Sequence, residues 1–162
     1  MLSENKVSLY FKALSKGKSD IASRNTMKFM CRGFKLVLGQ NEVDASITIS
    51  AAFDKAHRYW VDQVGRAEEL NSARIACWDF LEGKGRGFHI EDKEDAIARA
   101  VLCLLHPAEI VDNEFRQQCF EWFFQMVNKV DDFQPLFDRV FHEMEKKELS
   151  RQNKADRDGF AP

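Results

Sequence analysis

The segment 93–130, KEDAIARAVLCLLHPAEIVDNEFRQQCFEWFFQMVNKV, contains the two most apolar helical patterns of the chain. In its first part, residues 96–105 carry Arg99 as their single polar side chain. In its second part, residues 115–130 place apolar side chains on more than half of a helical circumference. Helices that are apolar nearly all round lie in the interior of a protein. We therefore predict two central buried helices, at about 93–106 and 113–130, with Asp92 and Asp112 as their N-caps.

Helical spacing of apolar residues also runs through most of the remaining chain, whereas the alternation typical of strands is almost absent. It predicts helices at 6–16, 20–38, 73–81 and 133–149, and another from about Ala51 with a stripe that continues to Ala67. Residues 41–50 are ambiguous, since their β-branched triplet 47–49 fits either an extended piece or the start of that helix. The prediction is an all-α fold: one domain at residues 1–150, a bundle of six or seven helices around the central pair, and a frayed polar tail at 151–162.

The composition is that of a globular protein, since 44% of the 162 residues are hydrophobic and 31% are charged. The longest strongly apolar run is far shorter than the roughly 20 residues that a membrane span needs, and the N-terminus lacks the apolar core of a secretory signal. The four cysteines stand singly within apolar segments, which predicts buried, reduced thiols. We therefore expect a cytoplasmic protein with no metal ion, no cofactor and no membrane association.

The sequence contains none of the short motifs that carry catalysis or phosphate binding. The loop Gly83–Gly87, GKGRG, does not match the GxxxxGKS/T pattern of a P-loop, and a helix rather than a strand precedes it. The histidines lack the spacing of a helical metal site, and neither GxSxG nor HExxH occurs. We predict that the protein has no catalytic residues and is not an enzyme. The alternative is an enzyme whose site is assembled from scattered residues around Arg99, His57 or His89.

Two polar residues lie where the apolar patterns predict burial. Arg99 is in the first central helix, and an unpaired buried charge is very costly. Arg99 is therefore expected either to form a salt bridge or reach the surface, or else to line a pocket that binds an anion. His57 lies on the apolar stripe of the third helix, which predicts a buried, hydrogen-bonded imidazole. In the second central helix, Trp122 and Phe123 are both predicted to be largely buried.

Charge is distributed unevenly along the chain. Residues 1–40 hold eight Lys or Arg and two acids, whereas the remainder is acidic overall. Four cations fall on one face of the second helix and form a basic stripe: Arg24, Lys28, Arg32 and Lys35. Four acids crowd the start of the first central helix and form an acidic cluster: Glu91, Asp92, Glu94 and Asp95. Helix capping explains one or two of these acids, which leaves the others for contact with a partner.

These features predict a non-enzymatic protein-binding domain. In its most concrete form this is a bacterial immunity protein or antitoxin that blocks a toxin by occlusion. The acidic cluster would meet a basic surface of the partner, since complementary charge speeds association. The basic stripe is an ordinary solvated face, the contact for an acidic protein partner, or the phosphate contact of a nucleic-acid-binding regulator. A pI near 6.1 and the lack of aromatics among the cations weaken the nucleic-acid hypothesis.

Overall fold

The structure, a computed structural model, describes residues 1–159, except the side chains of residues 149, 152, 153 and 156. Over these residues the chain forms an all-α bundle of seven α-helices and one 3-10 helix, without a strand. The α-helices are α1 Glu4–Leu14, α2 Ser19–Leu38, α3 Ile47–Trp60, α4 Ala67–Gly83, α5 Lys93–Leu102, α6 Asn113–Val130 and α7 Gln134–Gly159, with the 3-10 helix Glu109–Val111 before α6. The predicted fold class and number of helices are confirmed. None of the helices in the described part is long and apolar enough to cross a bilayer.

Side-chain caps fix the beginnings of several helices. Ser3, Ser46, Asp92 and Asp112 each accept a hydrogen bond from the backbone amide three residues later. Each bond gives a partner to one of the amides that a helix start otherwise leaves unpaired. The cap at Ser46 also resolves the ambiguous segment, because it places the β-branched triplet 47–49 in the first turn of α3.

Three helix boundaries in the middle of the chain differ from the prediction: the end of α3, the end of α5, and the start of α4, which lies at Ala67 rather than at residue 73. α3 ends at Trp60, because Gln63 and Gly65 have φ values of 57° and 97° and turn the chain. The predicted stripe therefore does not continue through Ala67, which instead begins α4. α5 ends at Leu102 rather than near residue 106, and the chain passes through turns before Pro107.

The last helix is longer than expected. α7 continues to Gly159, across most of the segment that we predicted to be a frayed tail. The physical reason is that residues 136–158 contain neither Gly nor Pro, so nothing in the sequence interrupts the helix. Residues 160–162 of the predicted tail lie outside the described residues.

α5 and α6 lie at the centre of the bundle. Every residue from 95 to 105 is buried, whereas α6 buries one face and exposes the other, so the predicted burial of the second central helix is only partial. Phe123 is buried as predicted, but Trp122 is 45% exposed, so its predicted burial is wrong. The reason is that Trp122 shares a helical face with the exposed Gln118, four residues before it, and Gln125, three residues after it.

Aromatic packing joins α2 and α7 to this centre. The ring centroids of Phe124 and Phe137 lie 4.9 Å apart, and those of Phe29 and Phe137 lie 5.7 Å apart. Gly33 of α2 packs directly on Phe137, and a Cβ atom at this position would overlap the ring. The glycine thus allows α2 and α7 to approach closely.

Candidate functional site

Many of the polar residues that the sequence analysis selected lie in or beside the loop between α4 and α5. Gly85 has a φ of 71°, in the left-handed region that other residues rarely adopt. The amide of Gly85 donates to the carbonyl of Glu82 at 2.9 Å, and the amide of Arg86 donates to the carbonyl of Leu81 at 2.8 Å. The loop therefore folds back on the end of α4.

Asp95, the third residue of α5, is the buried centre of this loop, and its side chain is fully shielded from solvent. Its Oδ1 accepts a hydrogen bond from Nζ of Lys84 at 2.9 Å. Its Oδ2 accepts from Nε of Arg86 at 3.2 Å and from the amide of Glu91 at 2.9 Å. The amide of Asp95 donates to Asp92 at 2.8 Å, which completes a capping box. Asp95 thus connects the loop to the start of α5.

The two cations of the loop neutralise much of the acidic cluster. Nζ of Lys84 lies within 3.3 Å of three carboxylates, those of Asp92, Glu94 and Asp95. Arg86 lies 3.1 Å from Glu91. Burial alone would raise the pKa of Asp95, but hydrogen bonds from Lys84 and the Glu91 amide outweigh it and lower that pKa to about 2. Asp95 cannot be the exposed contact residue that the sequence suggested, because it is buried, whereas Glu91, Asp92 and Glu94 remain accessible to solvent.

Arg99 is buried beneath the same loop. Its Nη2 donates to the carbonyls of Arg86 and Gly87, both at 2.9 Å. Its guanidinium carbon lies 5.7 Å from the centre of a Trp78 ring. Among the described side chains it has no ion pair, so backbone dipoles and the aromatic face compensate its charge. The salt bridge, one of the alternatives predicted for Arg99, is not found among the described side chains, and Arg99 instead binds the loop backbone.

An exposed aromatic residue follows these held carbonyls. Phe88 is 97% exposed, and Trp78 is 38% exposed. The guanidinium of Arg99 that contacts the Trp78 ring also binds the carbonyl of Gly87, the residue before Phe88. Ile75 is exposed one turn before Trp78 on α4. We call Phe88, Trp78 and Ile75 the loop surface.

The basic stripe of α2 divides between two places. Lys35 lines an open cleft with His57 and, together with Arg32, a second cleft beside α7, whereas Arg24 and Lys28 lie further along the side that continues onto α7. There, two cations that the sequence analysis missed, Lys147 and Arg151, act on Lys28, whose pKa is lowered by burial and by neighbouring positive charge. We call the combined surface the basic patch; it consists of Arg24, Lys28, Arg32, Lys147 and Arg151.

His57 is half-buried at an open cleft of about 450 Å³ between α2 and α3, so its predicted burial is only partial. Its Nδ1 lies 3.6 Å from Oδ2 of Asp62, which is longer than a hydrogen bond. Burial and the nearby Lys35 lower the pKa of His57, although Asp62 acts in the opposite direction, so the imidazole is mainly neutral at pH 7. Ser50 lines the same cleft, but among the described residues no hydroxyl or thiol is hydrogen-bonded to His57.

The cysteines form no reactive site in the described residues. Cys31, Cys77 and Cys103 are buried, and Cys119 is partly buried. Burial raises the pKa of Cys77 to about 12 and that of Cys119 to about 11, so little thiolate exists at neutral pH. His89 is exposed on the loop, and the described residues contain no cluster of three His, Cys, Asp or Glu side chains suited to a metal ion.

Sequence reasoning also missed Arg116, a buried cation on α6. Its Nη1 donates to Oγ of Ser23 at 3.1 Å, and its Nη2 donates to Oδ1 of Asn113 at 2.8 Å. These bonds connect α6 to α2 inside the bundle, so Arg116 has a structural role.

Neither a protein family, nor a curated protein, nor a solved structure matches this chain. The loop surface and the basic patch are therefore the features from which a function is proposed.

Proposed function

We propose that this protein is a non-enzymatic protein-binding domain whose contact point is the loop surface. One observation carries the proposal: Phe88 is 97% exposed on a loop whose backbone is held from beneath. Buried Arg99 binds the two carbonyls before Phe88, and buried Asp95 binds an amide after it. A simple connection between two helices needs neither a buried guanidinium nor a buried carboxylate, both of which are costly to desolvate.

Holding an exposed aromatic residue in place favours its binding to a partner. A mobile loop loses conformational freedom when it binds, and a loop that is already ordered avoids most of that cost. Aromatic side chains that enter a pocket of the partner commonly supply most of the binding energy. Phe88 is the candidate anchor.

The partner that fits this surface has an apolar pocket with a basic rim. Residues 78–99 hold six acids and four Lys or Arg, and Lys84 and Arg86 are engaged in ion pairs. The exposed acids of this segment are Asp79, Glu82, Glu91 and Asp92. A basic rim on the partner would speed association and favour this orientation.

An immunity protein or antitoxin is a narrower form of such a domain. The sequence suggested it on the basis of a free acidic cluster, but Lys84 and Arg86 offset part of that charge. We therefore propose protein binding in general, with toxin inhibition as the case in which the partner is a toxin. We also propose a cytoplasmic location, because the four cysteines are free and thiols persist in reducing compartments.

Site-specific cross-linking tests the proposal. A photo-reactive amino acid at position 88 is expected to capture a partner in cells that express the protein. The same group at Ile47, which is 90% exposed on α3, is the matched control and should not capture it. The captured protein is then purified, and its Kd is measured with wild type, Phe88→Ala and Ile47→Ala. Phe88→Ala should weaken binding by about 30-fold or more, as loss of an anchor of about 2 kcal/mol does, whereas Ile47→Ala should change it by less than about twofold.

Two results would contradict the proposal. One is a Phe88→Ala variant that binds the purified partner as tightly as wild type. The other is capture of the same proteins from positions 88 and 47. Because Phe88 is exposed, its replacement should change the free energy of unfolding by less than about 0.5 kcal/mol, so a weaker Kd reports the contact rather than the fold.

A further inference from the structure

α2 and α7 run antiparallel along their contact. At one end Gly33 of α2 packs on Phe137 of α7. Further along, Nη2 of Arg32 donates to Oε2 of Glu143 at 3.1 Å. Residues nearer the N-terminus of α2 therefore lie opposite residues nearer the C-terminus of α7.

Beyond this ion pair the contact changes from apolar to cationic. The face of α7 that carries the packed Val140 and Met144 continues with Lys147 and Arg151, at spacings of three and four residues. Lys28 lies opposite them on α2. Burial lowers its pKa first, and four cations lower it further: Arg151, Arg32, Lys147 and Arg24.

Acidic residues stand near the basic patch at Asp20, Glu143 and Glu148, but among the described side chains only Glu143 pairs with one of its cations. Glu143 pairs with Arg32, and it also lies 3.7 Å from Arg139. The other four cations of the patch form no ion pair with any side chain that the structure describes. Like charges held close together repel, so an anion bound among them relieves repulsion and is attracted by all of them.

We propose that the basic patch binds the phosphate backbone of a nucleic-acid duplex without reading its base sequence. The α2 cations extend over about 12 Å at about 1.5 Å per residue. The α7 cations form a second row beside them, and two parallel rows of positive charge suit a rod of regularly spaced phosphates. Phosphate contacts of this kind give affinity without sequence information.

The chemistry of the patch favours a duplex over the other anionic macromolecules. Binding of single strands relies on aromatic rings that stack on bases, and no Phe, Tyr or Trp is exposed on the described part of α2 or α7. An acidic protein partner usually contributes to an interface with an apolar centre, whereas the centre of this patch, around Lys28, is cationic. This surface does not include Phe88, and its function does not depend on the protein-binding proposal.

Fluorescence anisotropy with labelled duplexes of about 20 base pairs tests the inference, with one DNA arm and one RNA arm. With four cations free to contact phosphate, the plot of log affinity against log salt should have a slope of about −3.6 for DNA. Affinity should then fall about 150-fold between about 50 mM and about 200 mM salt. Phe88→Ala should leave this binding unchanged, so that failure of one proposal is distinguishable from failure of the other.

The decisive comparison is between two quadruple variants with the same net charge. The patch variant replaces four cations by Gln: Arg24, Lys28, Lys147 and Arg151. The control variant replaces four exposed cations on other parts of the chain by Gln: Lys12, Lys55, Arg66 and Lys129. At the lowest salt, the patch variant should lose about 100-fold or more in affinity, and the control less than about threefold. The single variant Arg151→Gln should reduce the salt slope by about one.

Several outcomes would overturn the inference. Equal losses in the two quadruple variants would mean that net charge alone attracts the duplex. Absence of duplex binding by wild type at about 50 mM salt would remove the proposed ligand altogether. Tighter binding of a single strand, or of polyglutamate, than of the duplex would assign the patch to that other ligand. Circular dichroism controls for folding, since removal of mutually repelling cations should not lower the helix content.

Discussion

Asp95→Asn removes the charge at the centre of the loop network and keeps the size of the side chain. The hydrogen bonds from Lys84 and Arg86 then lose the contribution of an ionised acceptor, and such bonds are roughly twice as strong as neutral ones. One end of the asparagine side chain is a donor, so it faces a group that also donates. We expect the substitution to loosen the loop and to destabilise the start of α5.

The pKa of Asp95 indicates how much folding free energy the Asp95→Asn substitution removes. It lies at about 2 against an ordinary value of 3.8, and a difference of this size corresponds to about 2 kcal/mol of folding free energy. Breaking a buried ion pair costs about 3–5 kcal/mol, but Lys84 and Arg86 keep other carboxylates as partners. We therefore expect the free energy of unfolding to fall by about 2–3 kcal/mol, and Tm by roughly 5–10 °C.

Urea unfolding at pH 7 measures the difference, and Glu94→Gln is the matched control. Glu94 accepts a hydrogen bond from the same Lys84 at 3.1 Å, but its side chain is only partly shielded from water. Ion pairs in contact with water contribute less than about 1 kcal/mol. The control should therefore unfold close to wild type while Asp95→Asn unfolds at clearly lower urea.

The pH dependence gives a second measurement. Because folding lowers the pKa of Asp95, its stabilising contribution is fully present above about pH 4 and is lost as the pH falls through 2. The stability gap between wild type and Asp95→Asn should accordingly narrow from pH 7 to about pH 3. A gap at pH 7 below about 0.5 kcal/mol, or one that does not narrow in acid, would refute the role assigned to this carboxylate.

Two further predictions concern packing. Phe123→Ala should lower the free energy of unfolding by about 3–5 kcal/mol, because the ring is fully buried. Trp122→Ala should lower it clearly less, because Trp122 is half-exposed. Equal losses in urea melts would contradict the assigned faces of α6. Gly33→Ala should cost about 1–3 kcal/mol, because its Cβ would overlap the Phe137 ring. Gly83→Ala is the control: with open space around it, it should be neutral or stabilise the protein by up to about 1 kcal/mol. If Gly33→Ala is as stable as wild type in thermal melts, α2 and α7 pack less closely than in this structure.

The helices were largely predictable because their signals are local. The N-caps at Asp92 and Asp112 and the apolar patterns that follow them lie within single segments of the chain. Two of the wrong predictions, the end of α7 and the burial of Trp122, also had a signal in the nearby sequence. The absence of Gly and Pro from residues 136–158 indicated a longer α7, and the polar residues Gln118 and Gln125 marked the exposed face on which Trp122 lies.

The candidate site was less predictable because its contacts are tertiary. The sequence shows four acids near the start of α5, but not that the loop folds back so that Lys84 and Arg86 neutralise them. Arg99 was correctly recognised as a costly buried charge, yet its partners are backbone carbonyls, which no side-chain pattern reveals. Likewise, Lys147 joins Lys28 only through the packing of α7 on α2, so the full basic patch required the structure.

The contact between Arg99 and Trp78 also has a spectroscopic consequence, because the three tryptophans occupy different surroundings. Trp60 is buried and its Nε1 donates to the carbonyl of Leu104 at 2.9 Å, whereas Trp122 faces solvent. The emission wavelength of an indole depends on the polarity and charge around it, so Trp78, with a guanidinium on its ring, senses any movement of the loop. In a variant that retains Trp78 and replaces the other two tryptophans by Phe, binding of a partner to the loop would change the emission, without an attached dye. A molecule bound at the far end of α7 would leave that emission unaltered.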